Sequence, residues 1–174
     1  KPVRDVAGTR GMTGADNHGT QVALTAAAAR NNSGIVGIAY DATILMARAD
    51  DPGSCATSGG CTFNDTAIAA GIDLAVANGA KVVNLSLGGS GASPGVLRSV
   101  TNAAAAGVVI VVSAGNGTNG VADPDPTTFS QALRQAGSGN VIIAGSVNSA
   151  GTISSFSNRA GIEAASNGCV VAVK

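Results

Sequence analysis

Four apolar runs divide this chain. Ile44-Leu45-Met46-Ala47, Lys81-Val82-Val83-Asn84-Leu85-Ser86-Leu87, Val108-Val109-Ile110-Val111-Val112 and Val141-Ile142-Ile143-Ala144 lack the polar alternation that a half-exposed strand carries. Continuous runs of this kind predict central strands covered on both faces. Between them the apolar spacing turns helical, and strands alternating with helices favour a parallel sheet. The expected fold is therefore α/β: three layers, α/β/α, around a mostly parallel, doubly wound sheet.

The intervening helices carry their own punctuation. Ile68, Ile72, Ala75 and Val76 recur at helical spacing behind a cap at Asn64 or Asp65, and Gly79 stands where a helix stops. Ser93 reads as the next cap, with Pro94 at the first helical position, a stripe of Val96, Leu97 and Val100, and Gly107 closing it. From Thr118 to Gly139 there is little periodicity, and the stretch reads as a surface loop with at most one short helix. Val141 to Ser146 and Gly151 to Ser157 predict two strands joined by a turn around Asn148-Ser149-Ala150-Gly151.

The chain has 174 residues, enough for one ordinary domain with a real core. Ten basic and ten acidic residues cancel, and no basic run or aromatic cluster occurs, so nothing predicts nucleic acid or an anionic membrane as a partner. No run of eighteen apolar residues predicts a membrane span, and the N-terminus lacks a signal-peptide pattern. Charged residues make up only 11% and aromatics 2%. That is apolar for a free-standing surface, and it predicts a partner chain or self-association covering part of it. Cys55 and Cys61 flank a Gly/Ser loop that a disulfide could close, with Cys169 left over; three unpaired thiols are the other reading. With one imidazole in the chain, a zinc site is not expected and no metal ligands are assigned.

Three short strings carry chemistry. His18, in Asn17-His18-Gly19-Thr20-Gln21-Val22-Ala23, opens a helix whose small residues Ala23, Ala26, Ala27 and Ala28 allow close packing behind the imidazole. Asn84-Leu85-Ser86-Leu87-Gly88-Gly89 ends a strand in two glycines, which leave backbone groups open to another chain. Ser113-Ala114-Gly115-Asn116-Gly117 follows the next strand and so emerges at the same carboxyl edge, where open α/β sheets place their ligands. A nucleotide-binding protein could share this ordering, yet the chain has no Gly-rich phosphate loop and no lysine after one.

Taken with Asn31-Asn32-Ser33-Gly34-Ile35-Val36-Gly37-Ile38-Ala39, these strings resemble the subtilisin-like serine proteases from Asn17 to about Val171. The resemblance implies a secreted or cell-surface peptidase, and the richness in Ala and Gly suggests a bacterial one. It implies hydrolysis of peptide or protein substrates by a Ser/His/Asp mechanism. His18 would be the general base and Asn116 the oxyanion donor. Ser86, Leu87 and Gly88 would bind the substrate backbone, and Ser113, Ala114 and Gly115 would be substrate-binding as well.

Family order is Asp, His, Ser, and two members of the triad are not assigned. Only seventeen residues precede His18; Asp5 and Asp16 are the candidates there, and Asp5 reads as a solvated loop charge. Gly19-Thr20 is followed by Gln21, and no Gly-Thr-Ser string occurs. Residues 1–174 are thus expected to form a single partial domain without the upstream Asp strand and the downstream Ser helix, inactive by itself. The alternative is a catalytically incomplete domain that serves peptide binding or assembly. No cofactor is expected for the chemistry. Structural calcium, which the family often holds beyond the histidine helix, would find Asn31, Asn32 and Ser33 here; without a carboxylate, a polar turn is the expectation.

Overall fold

The computed structural model describes residues 3–5, 18–56, 60–159 and 170–173. The chain forms two compact units, residues 1–75 and 76–174. Strands are parallel throughout both sheets.

In the first unit, strand β1 (Val3–Asp5) pairs with β2 (Met46–Arg48). Asp5, expected in a loop, instead ends β1 opposite Arg48. Helix α1 (His18–Ala27) lies between these strands in sequence. Close packing is found at the C-terminal end of α1, where Ala27 and the following Ala28 are buried and Gly37 comes so near their backbone that a Cβ on it would collide. The C-terminal carbonyls of α1 are taken up locally, because the chain turns back and Gly37, Ile38 and Ala39 donate N–H groups to Ala28, Thr25 and Ala26 at 3.0, 3.1 and 2.8 Å. In the 31–33 turn Asn31 Oδ1 accepts the Ser33 N–H at 3.1 Å.

After β2, Arg48 and Asp50 form an ion pair at 2.7 Å, and a disulfide joins Cys55 to Cys61 across a Cα separation of 4.1 Å. Asp51 anchors the far side of that loop, accepting from Thr62 Oγ1 at 3.0 Å and Asn64 Nδ2 at 2.8 Å. Asn64 in turn caps helix α2 (Asp65–Ala77), its Oδ1 accepting the Ala67 N–H at 2.8 Å.

The second unit is built on a four-stranded sheet in the order β3 (Val82–Leu85), β4 (Val109–Ser113), β5 (Val141–Val147), β6 (Val170–Val173). Helix α3 (Pro94–Ala105) connects β3 to β4 and is capped as the sequence predicts, the Ser93 hydroxyl accepting the Val96 N–H at 3.4 Å. A second helix, α4 (Thr128–Gly137), connects β4 to β5. It corrects the expectation of a mostly irregular loop: Phe129, Ser130, Leu133 and Gly137 are buried, so α4 is an amphipathic element of the core. It packs beside α3 and on β4 and β5.

Register explains which face is filled. Ile110 stands opposite Val141, and Val112 opposite Ile143, so these four side chains share one face of the sheet. Val141 lies beside Gly137 of α4 and Val100 of α3, which makes this the helix-covered face. Ile110 and Val112 are fully buried there, Val141 and Ile143 nearly so. Each such side chain contributes roughly 1.5–3 kcal/mol by leaving water. The alternate residues Val109, Val111, Ile142 and Ala144 are half-buried. β3 departs furthest from the expectation of a uniformly buried strand: Val82 is 58% exposed and Asn84 is exposed, while Val83 is buried. Within this unit β3 is one of the two edges of the sheet.

The predicted strand over residues 151–157 does not form. Val147 and Ile153 make one isolated antiparallel bridge, and the chain then turns, with the Ser157 N–H donating to the Ser154 carbonyl at 3.0 Å. Backbone bonds flank that bridge, Ser154 N–H to the Ser146 carbonyl at 2.9 Å and Asn148 N–H to the Thr152 carbonyl at 2.8 Å, and serine hydroxyls add to them: Ser154 Oγ lies 2.9 Å from Ser146 Oγ, and Ser157 Oγ accepts the Ser146 N–H at 2.9 Å. Cys169 lies outside the described residues.

Candidate active site

Both strand-end strings of the second unit emerge where the sheet topology requires. β3 and β4 are adjacent and parallel, with Leu85 in register with Val112, so residues 86–89 and 113–117 leave the sheet side by side at its carboxyl edge. One bond joins them directly, Ser113 Oγ donating to the Leu87 carbonyl at 2.8 Å. Asn84 Nδ2 donates to Ser86 Oγ at 2.9 Å and orients that hydroxyl.

The first turn of α4 then fastens both segments from one side. Thr127 and Phe129 donate backbone N–H groups to Ala114 and Gly89 at 2.9 and 3.2 Å. The fully buried Ser130 hydroxyl donates to the Ser113 carbonyl at 2.7 Å. Thr127 also caps α4, its Oγ1 accepting the Ser130 N–H at 3.3 Å. Its methyl faces both glycines: a Cβ on Gly88 would stand 3.4 Å from it, and a Cβ on Gly115 would collide with it. Gly115 has φ +95°, so neither its conformation nor its surroundings admit a larger residue.

From the other side, residues 156–159 hold the segment. Gly117 N–H donates to the Phe156 carbonyl at 2.8 Å, Asn158 N–H to the Gly115 carbonyl at 3.0 Å, and Asn116 and Ser157 form an antiparallel bridge. Asn116 itself is exposed. Among the described residues its carboxamide has no hydrogen-bond partner, so the main chain is clamped while the side-chain donor stays available. Segments 84–88 and 113–117 contain no ionisable side chain, and what they offer is neutral: hydroxyls, amides and backbone.

His18 belongs to the first unit, where it is the first residue of α1 and exposed, as a residue at a helix mouth should be. Among the described residues no cluster of three or more His, Cys, Asp or Glu side chains could hold a metal ion. Thr127 and Ser130, which help fix the site, did not stand out in the sequence, and Asn158 carried no assigned role there. The signal available was a threonine followed three residues later by a serine at the start of α4, which also fits an ordinary cap.

A family model described as "Subtilase family" (Peptidase_S8) matches residues 2–173. The chain belongs to the subtilase family. This subtilase chain is 43% identical over 122 residues to thermitase of Thermoactinomyces vulgaris, covering 70% of this chain and 41% of thermitase. It is 36% identical over 152 residues to an extracellular protease of Xanthomonas campestris pv. campestris, covering 81% of this chain and 23% of that protein. In fold it is similar to the prenylagaramide maturation protease PagA, with a TM-score of 0.70 at 18% identity, covering 99% of this chain and 55% of that one. The expected subtilisin-like α/β fold is thus the observed one. The chain spans about two fifths or less of the two curated relatives named.

Proposed function

We propose that this subtilase chain is the part of a serine endopeptidase that binds the substrate backbone and stabilises the oxyanion. The observation that carries the reading is the pairing of two strand ends, 86–88 and 113–117, with an exposed Asn116 carboxamide on a main chain clamped from both sides. In this reading Ser86, Leu87 and Gly88 offer backbone groups to an extended peptide, and Ser113, Ala114 and Gly115 form the opposite wall. Asn116 donates to the oxygen that gains charge as the tetrahedral intermediate forms. His18 takes the proton of the attacking serine and returns it to the leaving amine. No cofactor enters the chemistry. The catalytic serine and aspartate are not assigned to residues of this sequence, and we propose that residues 1–174 alone do not turn over peptides. Location outside a bacterial cell is part of the same reading, supported by the extracellular relative and the Cys55–Cys61 disulfide.

The test is Asn116→Ala in the intact protein on a peptide amide substrate. A donor used only in the transition state should cost about 10²–10³ in kcat and leave KM within a factor of about two; the magnitude comes from the equivalent donor of a subtilisin. His18→Ala should lower kcat more steeply still. An unchanged kcat in Asn116→Ala would remove the oxyanion role.

A second reading, a protease-like domain that binds a peptide or partner without cleaving it, draws on apolar side chains left at the surface of the first unit, Ile35 57%, Val36 52% and Ile38 91% exposed. Saturable binding of an extended peptide by intact protein that a fluorophosphonate fails to label would favour it.

A further inference from the structure

Asn158 is 4% exposed although residues 154–159 form no strand or helix. A buried carboxamide in such a place needs partners, and they converge on the Asn116 loop. Its backbone N–H donates to the Gly115 carbonyl at 3.0 Å. Its Oδ1 accepts the Asp123 N–H at 3.1 Å, and Asp123 returns the contact by accepting the Arg159 N–H at 2.9 Å. Its Nδ2 lies over the open side of Gly115, 3.1 Å from where a Cβ would stand. One side chain therefore touches the residue before Asn116 and holds residue 123 of the excursion that follows it.

The peptide planes on either side of Asn116 are each held by this segment, Gly115 through its carbonyl to Asn158 and Gly117 through its N–H to Phe156. Fixing those planes fixes the direction in which the Asn116 side chain leaves the main chain. We propose that Asn158 is a positioning residue for the Asn116 carboxamide, acting through Gly115 and the 121–123 loop and touching no substrate. The proposal rests on the reading of Asn116 as oxyanion donor. Truncating Asn158 leaves the Asp123 N–H without its acceptor and opens space beside Gly115, so the loop relaxes and the donor drifts from the transition-state oxygen. A misplacement on the order of 1 Å in such a donor costs up to about a hundredfold, and a partial loss of about tenfold is expected here.

A double-mutant cycle in the intact enzyme separates positioning from general support. Asn158→Ala should lower kcat about tenfold with KM within about twofold, and should lower it no further when Asn116 is already alanine, because there is then no donor to misplace. Should Asn158→Ala fail to fold, Asn158→Ser, which is too short to reach Asp123 but keeps a hydroxyl, carries the same cycle. If the loss persists in the Asn116→Ala background, falls on KM, or is absent while Asn116→Ala alone is slow, the positioning role is wrong and the oxyanion reading stands. If Asn116→Ala itself is as fast as the parent, the oxyanion reading fails and this inference fails with it.

Discussion

At Gly115 a single absent methyl group decides the geometry of the loop. The φ of +95° is one that L side chains rarely adopt, and a Cβ there would collide with the Thr127 methyl and crowd Asn158. Gly115→Ala is expected to destabilise the protein by about 2–4 kcal/mol, from backbone strain plus overpacking. Thr127→Ser keeps the hydroxyl that caps α4 and removes only the colliding methyl. The Gly115→Ala/Thr127→Ser double variant should therefore lose less than the sum of the singles in urea denaturation; strict additivity would mean that Thr127 simply yields. His18 and Asn116 are singled out in the sequence by the strings around them, Asn17-His18-Gly19-Thr20 and Ser113-Ala114-Gly115-Asn116, which resemble the family, and not by residue type alone. The parts of Thr127 and Asn158 are not legible there, because Pro126-Thr127-Thr128 looks like any turn and nothing near Asn158 in the sequence shows that its partners Gly115 and Asp123 arrive from elsewhere in the chain.

Among the elements, α4 separates pattern from context. Its apolar positions, Phe129 and Leu133, are too few to mark a helical stripe against the Ser, Gln and Arg around them, so the sequence predicts no more than one short surface helix here. The fold uses both: Phe129 is 2% exposed and Leu133 fully buried. Leu133→Ala is expected to cost about 3 kcal/mol and to shift the urea midpoint accordingly; a loss below about 1 kcal/mol would show that α4 is not part of the core. α3, by contrast, was readable end to end, since Ser93, Pro94 and Gly107 act within one turn of the helix they delimit. The 151–157 segment pairs with the end of β5 only as far as Ser154, because the chain turns there and residues 156–158 go on to bond the 115–117 segment instead.

On the scale of the whole molecule, the chain matches the subtilase family over residues 2–173 while spanning about 41% of thermitase. Purified residues 1–174 are expected to show no peptide turnover and no fluorophosphonate adduct in intact mass, since no Gly-Thr-Ser string is present; a single adduct that mapped to one of its serines would overturn this. Low charge content showed in the structure as apolar side chains at the surface, Ile38 at 91% and Val121 at 72% exposure. By itself the sequence determined the α/β class, the parallel strands, the capped α3 and the two strand-end strings of the candidate site. Each of these is written in neighbouring residues: a run, a cap, a glycine after a strand. Only the tertiary structure decided that β3 is an edge of its sheet with Val82 exposed, that α4 belongs to the core, and that Asn116 is held by Asn158 and Phe156. Those outcomes depend on which distant segments of chain meet, such as Gly115 with Asn158 and Gly137 with Val100, and local spacing carries no record of that.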